Sequence, residues 1–401
     1  MRIAPALLTL LTVIPSALSA VDIADADAKV TVGLFSQARV DVARAHDTSG
    51  DRYSINDGAS VAPDTADIYL KRFRPYIRGT AKGAIFVATL QADNWGKDST
   101  GNVAGANVST TSVSLFEGYA GKEFVVGDIK HTITLGKQLS WFNFANNRPI
   151  LMQFATNRAT AALLAPVGVG AGYRLNSEMI NLGLDIQNNT GDSAGSNTQD
   201  DGEGMAYTGR IEFTGPKGNW NIGKWQESFA GADGQGVALS LDAGTNRGDR
   251  TGGAGAFASE NTTALGVELL VHNDGLTALG EYRTQRKAKT FDSGAANADT
   301  PAKIWLVQAG YAFKIEGGMA LEPAVRYTNI DMNSDDSNEG TSYGVADWGT
   351  SGKQIDLGLN LFVAGHGHKV SALFTYWKSE ETAAGDQADA RIFRLQHQLM
   401  F

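Results

Sequence analysis

Alternation of apolar and polar residues, repeated from one end of the chain to the other, limits the possible folds more than any other feature. In Met179-Ile180-Asn181-Leu182-Gly183-Leu184-Asp185-Ile186-Gln187 the even positions are all aliphatic and the odd ones mostly polar or small. A helix would spread those four aliphatics around its cylinder, whereas a strand places them on one face. Met205 to Phe213 repeats the pattern with the odd positions apolar. So do Leu265 to Val271, Trp305 to Phe313, Leu321 to Tyr327 and Ile355 to Val363. The last segment sets Phe393, Leu395, His397, Leu399 and Phe401 against Arg394, Gln396 and Gln398.

A soluble sandwich also alternates, so three further features carry the choice of fold. Aromatics stand near strand ends on the apolar faces (Tyr69, Phe73, Trp305, Tyr311, Phe313, Tyr327, Tyr376), as membrane-interface girdles require. Short connections, such as Ala364-Gly365-His366-Gly367 and Glu316-Gly317-Gly318, alternate with long polar ones at Asn188 to Gly204, Lys287 to Pro301 and Asp331 to Gly352. The chain also ends on an aromatic, Phe401, that belongs to the apolar face of its last strand. Glycine is abundant at 47 residues while proline is only 9, a balance that suits strands and turns better than disorder.

The expected fold is therefore an all-β, transmembrane antiparallel β-barrel of about sixteen strands, with short periplasmic turns and long external loops. Strands are predicted at 30–44, 67–81, 83–93, 112–123, 130–138, 165–175, 178–189, 204–215, 235–244, 263–273, 276–287, 303–315, 319–331, 353–363, 368–379 and 389–401. Trp220 to Phe229 could form another, and the even count of bacterial barrels assigns it to a connection.

The N-terminus has the anatomy of a secretory signal. Arg2 precedes an apolar stretch, Ile3 to Ile14, and Pro15-Ser16-Ala17-Leu18-Ser19-Ala20 offers small residues for cleavage after Ala20. That stretch is too short to span a bilayer as a helix. The predicted organisation is a signal peptide at 1–20, a short periplasmic segment at 21–29 and a barrel at 30–401, placing the protein in a bacterial outer membrane. The chain has no cysteine, which excludes disulfides, thiolate metal sites and a cysteine nucleophile. A formal net charge of −9 argues against nucleic acid as a partner.

Charge inside the predicted barrel carries the functional reading. Arg72, Arg74 and Arg78, with Tyr76 between them, share one parity, and Tyr69, Lys71, Phe73, Pro75 and Ile77 share the other. An arginine on the lipid face near midplane costs about 2–4 kcal/mol, so the row is expected to face the lumen. Its members stand about 6.8 Å apart, a ladder of guanidinium groups to which Arg39 on the preceding strand can add. Lys71, toward the strand end, is expected to snorkel. One reading is that the ladder attracts anions through several weak sites. The other is that inward acids (Asp93, Asp185, Glu212, Asp242, Glu268, Glu281, Glu322, Asp356) neutralise it and the arginines only brace the wall. Glu281 with Arg283, Glu322 with Arg326, and Arg210 with Glu212 look like such local pairs.

Leu139 to Leu164 is too long and too apolar for an ordinary external loop. Folded into the lumen it would form a constriction carrying Arg148 and Arg158; the alternative is an external loop at a subunit interface. His366-Gly367-His368 reads as a solvated turn before a metal pair. Asp331-Met332-Asn333-Ser334-Asp335-Asp336 opens like a calcium loop yet lacks glycine at its sixth place, and suits surface contact with divalent ions better. No spacing marks a nucleophile with its base, and no cofactor or metal site is expected.

Four motifs resemble the phosphate-selective porin O and P family over nearly the whole length after the signal. They are Arg72, Arg74, Arg78 and Gly79; Ile133-Thr134-Leu135-Gly136-Lys137-Gln138; Leu321-Glu322-Pro323-Ala324-Val325-Arg326-Tyr327; and the end, Arg394-Leu395-Gln396 through Phe401. The resemblance implies a sixteen-stranded barrel, a homotrimer, and passive diffusion biased toward small anions such as phosphate. The chain departs from it where Leu139-Ser140-Trp141-Phe142 follows the second motif in place of Pro-Phe, and in lacking a coiled-coil segment after the signal. A general non-selective porin, and more remotely a structural or adhesin barrel, remain the alternatives.

Overall fold

The computed structural model describes residues 21–25, 27–46, 53–55, 59–61, 65–93, 95, 113–142, 167–188, 205–215, 235–249, 257–291, 298–331, 351–379 and 389–401. Sixteen strands form the wall: β1 (Ala28–His46), β2 (Thr65–Ala81), β3 (Ala84–Gln91), β4 (Ser114–Val126), β5 (Ile129–Leu139), β6 (Val167–Asn176), β7 (Ile180–Asn188) and β8 (Met205–Thr214). They continue with β9 (Gln235–Asp249), β10 (Phe257–Asn273), β11 (Leu276–Phe291), β12 (Ala298–Tyr311), β13 (Ala320–Asp331), β14 (Gly352–Ala364), β15 (His368–Ser379) and β16 (Asp389–Met400). Each pairs antiparallel with its sequence neighbours, and β16 closes on β1 from Phe35↔Met400 to His46↔Asp389. Closure leaves no unpaired edge, the condition for a sheet to sit in lipid. β8 pairs directly with β9, so the wall gains no strand between them, as the parity argument expects.

Sidedness follows the alternation. Outward residues such as Leu135, Val169, Leu184, Leu241, Leu265, Val307, Leu357 and Phe393 are exposed and apolar. Inward residues such as Gln37, Glu212, Ser240, Gln308, Gln354, Asn360, Thr375 and Gln398 are polar and buried. A soluble fold would reverse this, because exposed aliphatics cost about 25 cal/mol per Å² in water. The turns at one end are tight. Lys82-Gly83 and Asp274-Gly275 have φ of 48° and 77°, and of 43° and 95°, the paired positive values that a two-residue hairpin needs and that glycine supplies freely.

Three expectations need correction. First, β9 to β12 run longer than predicted at their loop ends, reaching Asp249, Phe257, Phe291 and Ala298. Those extensions set polar residues side by side (Thr245, Asn246, Arg247; Glu260, Asn261). Strand pairing continues beyond the lipid, but the alternation that signals it does not. Second, β1 begins at Ala28 where residue 30 is expected, and a further strand, Val21–Asp25, pairs with its start. A small separate hairpin (Tyr53–Ile55 with Ala59–Val61) follows β1. Third, Tyr69 and Lys71 do not face lipid. Gln37 pairs with Arg72 but Ala38 pairs with Leu70, so Lys71 is an extra residue in a β-bulge. The bulge flips the parity of β2. Tyr69 turns inward, 4% exposed, with its hydroxyl donating to Asp41 Oδ2 at 2.8 Å, and Ile68 takes the outer face at 78% exposure.

Candidate functional site: the charged inner wall

Beyond the bulge, Arg72, Arg74, Tyr76 and Arg78 lie opposite Gln37, Phe35, Gly33 and Thr31 of β1, all on the inward face. Each guanidinium is held differently. Arg72 Nη1 donates to Gln37 Oε1 at 2.6 Å. Arg74 is buried, ion-paired with Asp93 through Nε at 3.1 Å and through Nη2, and also donates to Gln91 Oε1 at 3.2 Å. Its guanidinium lies 3.8 Å from the centre of the Phe116 ring. Tyr76 is buried and its hydroxyl donates to the Phe401 carbonyl at 3.3 Å, tying the row to the chain end. Arg78 is exposed, resting 4.8 Å from the Tyr76 ring, and among the described residues no carboxylate ion-pairs with it.

Arg39 is 1% exposed and donates through Nε and Nη2 to Gln396 Oε1 at 3.1 and 2.8 Å. Arg148 and Arg158, the constriction candidates, lie outside the described residues. The ladder therefore reaches water at Arg78 and in part at Arg72, is balanced by an acid at Arg74, and is braced by glutamines at Arg72 and Arg39.

Two further basic residues, Arg394 on the polar face of the last strand and Lys369, which the sequence did not single out, join this wall where β15 and β16 meet β1. Arg394, fully buried, stands with Nε 3.5 Å from Asp41 Oδ1, and Lys369, also fully buried, lies 5.7 Å from the Phe362 ring centre. Gln37, Gln396 and Gln398 run between them, with Gln37 Nε2 donating to Gln398 Oε1 at 2.7 Å. The inward parity of Arg394 was visible in the sequence. That it meets Asp41 depends on the closure of β16 on β1, which no local pattern shows.

The wall half a turn away carries a buried ion-pair network. Arg210 of β8 contacts Glu268 at 2.5 Å, Glu212 at 3.3 Å and Asp242 at 3.5 Å. Arg283 of β11 contacts Asp242 at 2.5 Å, Glu268 at 3.0 Å and Glu281 at 3.1 Å. All six side chains are buried, so two guanidiniums knit four carboxylates across β8 to β11. Arg210–Glu212 and Glu281–Arg283 are pairs expected from their spacing. Arg326 bonds to Asp356 across β13 and β14 at 2.8 Å, while Glu322 accepts from Asn360 Nδ2 at 2.8 Å. Nearer β5, Arg174 pairs with Asp185 at 2.6 Å.

The histidines of the turn do not face each other as a chelating pair would. His366 is buried edge-on to Phe362, and His368 Nε2 lies 3.1 Å from His397 Nε2. Among the described residues no group of three or more His, Asp or Glu could hold a metal ion. The acidic stretch beyond Asp331 lies outside the described residues.

No protein-family profile and no curated protein matches the chain. Solved structures do. The anion-selective porin from Comamonas acidovorans aligns with a TM-score of 0.53 over 92% of this chain and 100% of its own, at 13% identity. OmpF of Salmonella typhi, in complex with daunomycin, gives 0.54 over 94% and 100% at 12% identity. OmpT, an outer membrane protein of Vibrio cholerae, gives 0.53 over 94% and 99% at 10% identity. At these identities the likeness is one of fold: the chain has the closed, sixteen-stranded antiparallel barrel of the outer-membrane porins.

Proposed function

We propose that the protein is an outer-membrane porin, a passive channel rather than an enzyme, through which small hydrophilic solutes diffuse with a bias toward small anions. The observation that carries the channel reading is sidedness: a closed cylinder, apolar outside and charged inside. Export by the 1–20 signal and assembly as a homotrimer in outer-membrane lipid belong to the same reading. The anion bias is supported by Arg78, which meets water on the inward face of β2, in a sector that also carries Lys369, Arg394, Arg39 and Arg72. Weak shared sites of one sign raise local anion concentration without trapping the ion. Phosphate is the favoured example because guanidinium groups match its oxygens, and the resemblance to the O and P family points the same way.

The Arg74–Asp93 pair favours a second reading, a general porin with little charge preference, since it cancels one rung of the ladder. The channel itself is tested by adding purified protein to a planar bilayer. Discrete upward conductance steps are expected, and a bilayer that stays silent refutes a channel. An SDS-resistant species of three times the monomer mass is expected before heating.

A further inference from the structure

His368 opens β15 directly after the turn that ends β14 at Ala364, and His397 stands on β16 four residues before the chain ends at Phe401. The register pairs His368 with Leu399 and Val370 with His397, so the two histidines are diagonal neighbours on adjacent strands. Both share the outward parity of Phe393, Leu395 and Leu399. Lys369, Gln396 and Gln398, which alternate with them, are buried on the inner face. The two rings meet tip to tip. Nε2 of His368 lies 3.1 Å from Nε2 of His397, with ring centres 5.1 Å apart and planes inclined at 71°. His366, the histidine nearest in sequence to His368, packs edge-on to Phe362 instead.

Two neutral imidazoles hold that distance when one N–H donates to the other's lone pair, or when both lone pairs point at one cation. A zinc ion sits about 2.0–2.1 Å from each imidazole nitrogen. Two such nitrogens stand roughly 2.9 Å apart at a right angle and roughly 3.3 Å apart at the tetrahedral angle. The observed 3.1 Å lies between these values, so an ion enters by small rotations of the rings while the paired strands stay in place. Both rings are half-buried at the turn end of the wall, which leaves water to fill the remaining coordination places. Imidazole nitrogens suit zinc and copper among the divalent ions. We propose that His368 and His397 form a two-histidine site for a divalent transition-metal ion on the outer rim of the barrel, where the bound ion clamps β15 to β16. With two protein ligands rather than the four of a structural zinc site, it is an exchangeable site. The sequence points away from it because its ligands lie 29 positions apart. The inference is independent of conduction.

The test uses untagged full-length protein, folded in detergent and stripped of metal with EDTA, in equilibrium dialysis against zinc chloride. One ion per chain is expected, and His368→Gln or His397→Gln should each weaken binding by on the order of tenfold or more. His131→Gln, at an outward histidine that bonds to Tyr173 instead, should leave it unchanged. Zinc at about a hundred times its Kd should raise the urea midpoint of the parent by on the order of 1 M and leave both variants where they were. Copper chloride gives a second measurement on the parent alone, whose electron paramagnetic resonance spectrum should show two imidazole nitrogens on one ion. Folding of the variants is confirmed by heat-modifiable migration, and the copper spectrum decides the matter if they do not fold. A parent that takes up no zinc, a midpoint that zinc does not move, or binding that survives either substitution overturns the proposal. So does a copper spectrum with fewer than two nitrogens, which would leave the rings sharing a hydrogen bond.

Discussion

Replacing Arg283 with methionine should unfold the barrel more readily than the same change at Arg326, although both side chains are fully buried. Methionine fills much of the stem volume and leaves the carboxylates behind. Arg283 donates to Asp242 at 2.5 and 3.2 Å, to Glu268 at 3.0 Å and to Glu281 at 3.1 Å. Removing one partner of a buried ion pair costs about 3–5 kcal/mol. Three acids lose a partner together, and Arg210 still holds two of them, which puts the cost near the upper figure, about 5 kcal/mol. Arg326 is ion-paired with Asp356. After its loss Asp356 still accepts from Gln354 at 3.0 and 2.8 Å and from Thr375 at 2.6 Å. Hydrogen bonds to a charged group contribute about 1.5–3 kcal/mol each, so this site should lose only about 2–3 kcal/mol.

Urea unfolding in detergent or liposomes, followed by tryptophan fluorescence, measures the difference. At a slope of roughly 1–3 kcal/mol per molar urea, the two midpoints should separate by about 1 M. Adding Glu281→Gln to Arg283→Met should recover part of the loss, because it removes a carboxylate with the guanidinium. Equal midpoints, or a stable Arg283→Met, would mean that water reaches and screens the network, and the reasoning from burial would fail.

Val267 faces outward in the middle of the apolar run of β10, so Val267→Arg should cost about 2–4 kcal/mol in the same assay; a neutral result would remove that face from lipid. Gly33→Val should impair closure, because a Cβ there would fall 2.2 Å from the Phe401 carbonyl and 2.4 Å from the Tyr76 ring. That seam is where Leu34 and Phe401 exchange backbone hydrogen bonds at 2.8 and 3.1 Å, and lost heat-modifiability would report the defect. Tyr69→Phe should cost about 0.5–1.5 kcal/mol through its bond to Asp41, whereas Tyr311→Phe on the outer face should cost little. Equal effects would place Tyr69 outside and remove the bulge.

The wall was legible because a membrane barrel repeats one signal sixteen times, and each repeat reports which side meets lipid. Legibility ended where a feature depended on something other than period two. The bulge at Lys71 carries neither glycine nor proline, so nothing nearby announces the extra residue that turns Tyr69 inward. The loop ends of β9 and β10 set polar residues side by side, so there the period-two signal vanishes. The arginine row was visible from its parity and its cost in lipid. Its partners were not, since Asp93 reaches Arg74 only through the β2–β3 hairpin, and Gln396 reaches Arg39 only through closure. The apolar run after Leu139 marked an unusual segment. Gly183, Ala264 and Arg283, which its first residues Trp141 and Phe142 touch, lie about 40 to 140 positions away and share no local pattern with it.

The most direct measurement of the central claim is the zero-current potential of the parent protein in a bilayer separating two potassium chloride concentrations. The account predicts the sign of an anion-preferring channel, growing as salt is lowered and screening weakens, and shrinking when Arg72 and Arg78 are both replaced with alanine. A potential of cation-preferring sign, or an anion preference that survives the loss of both arginines, would contradict it.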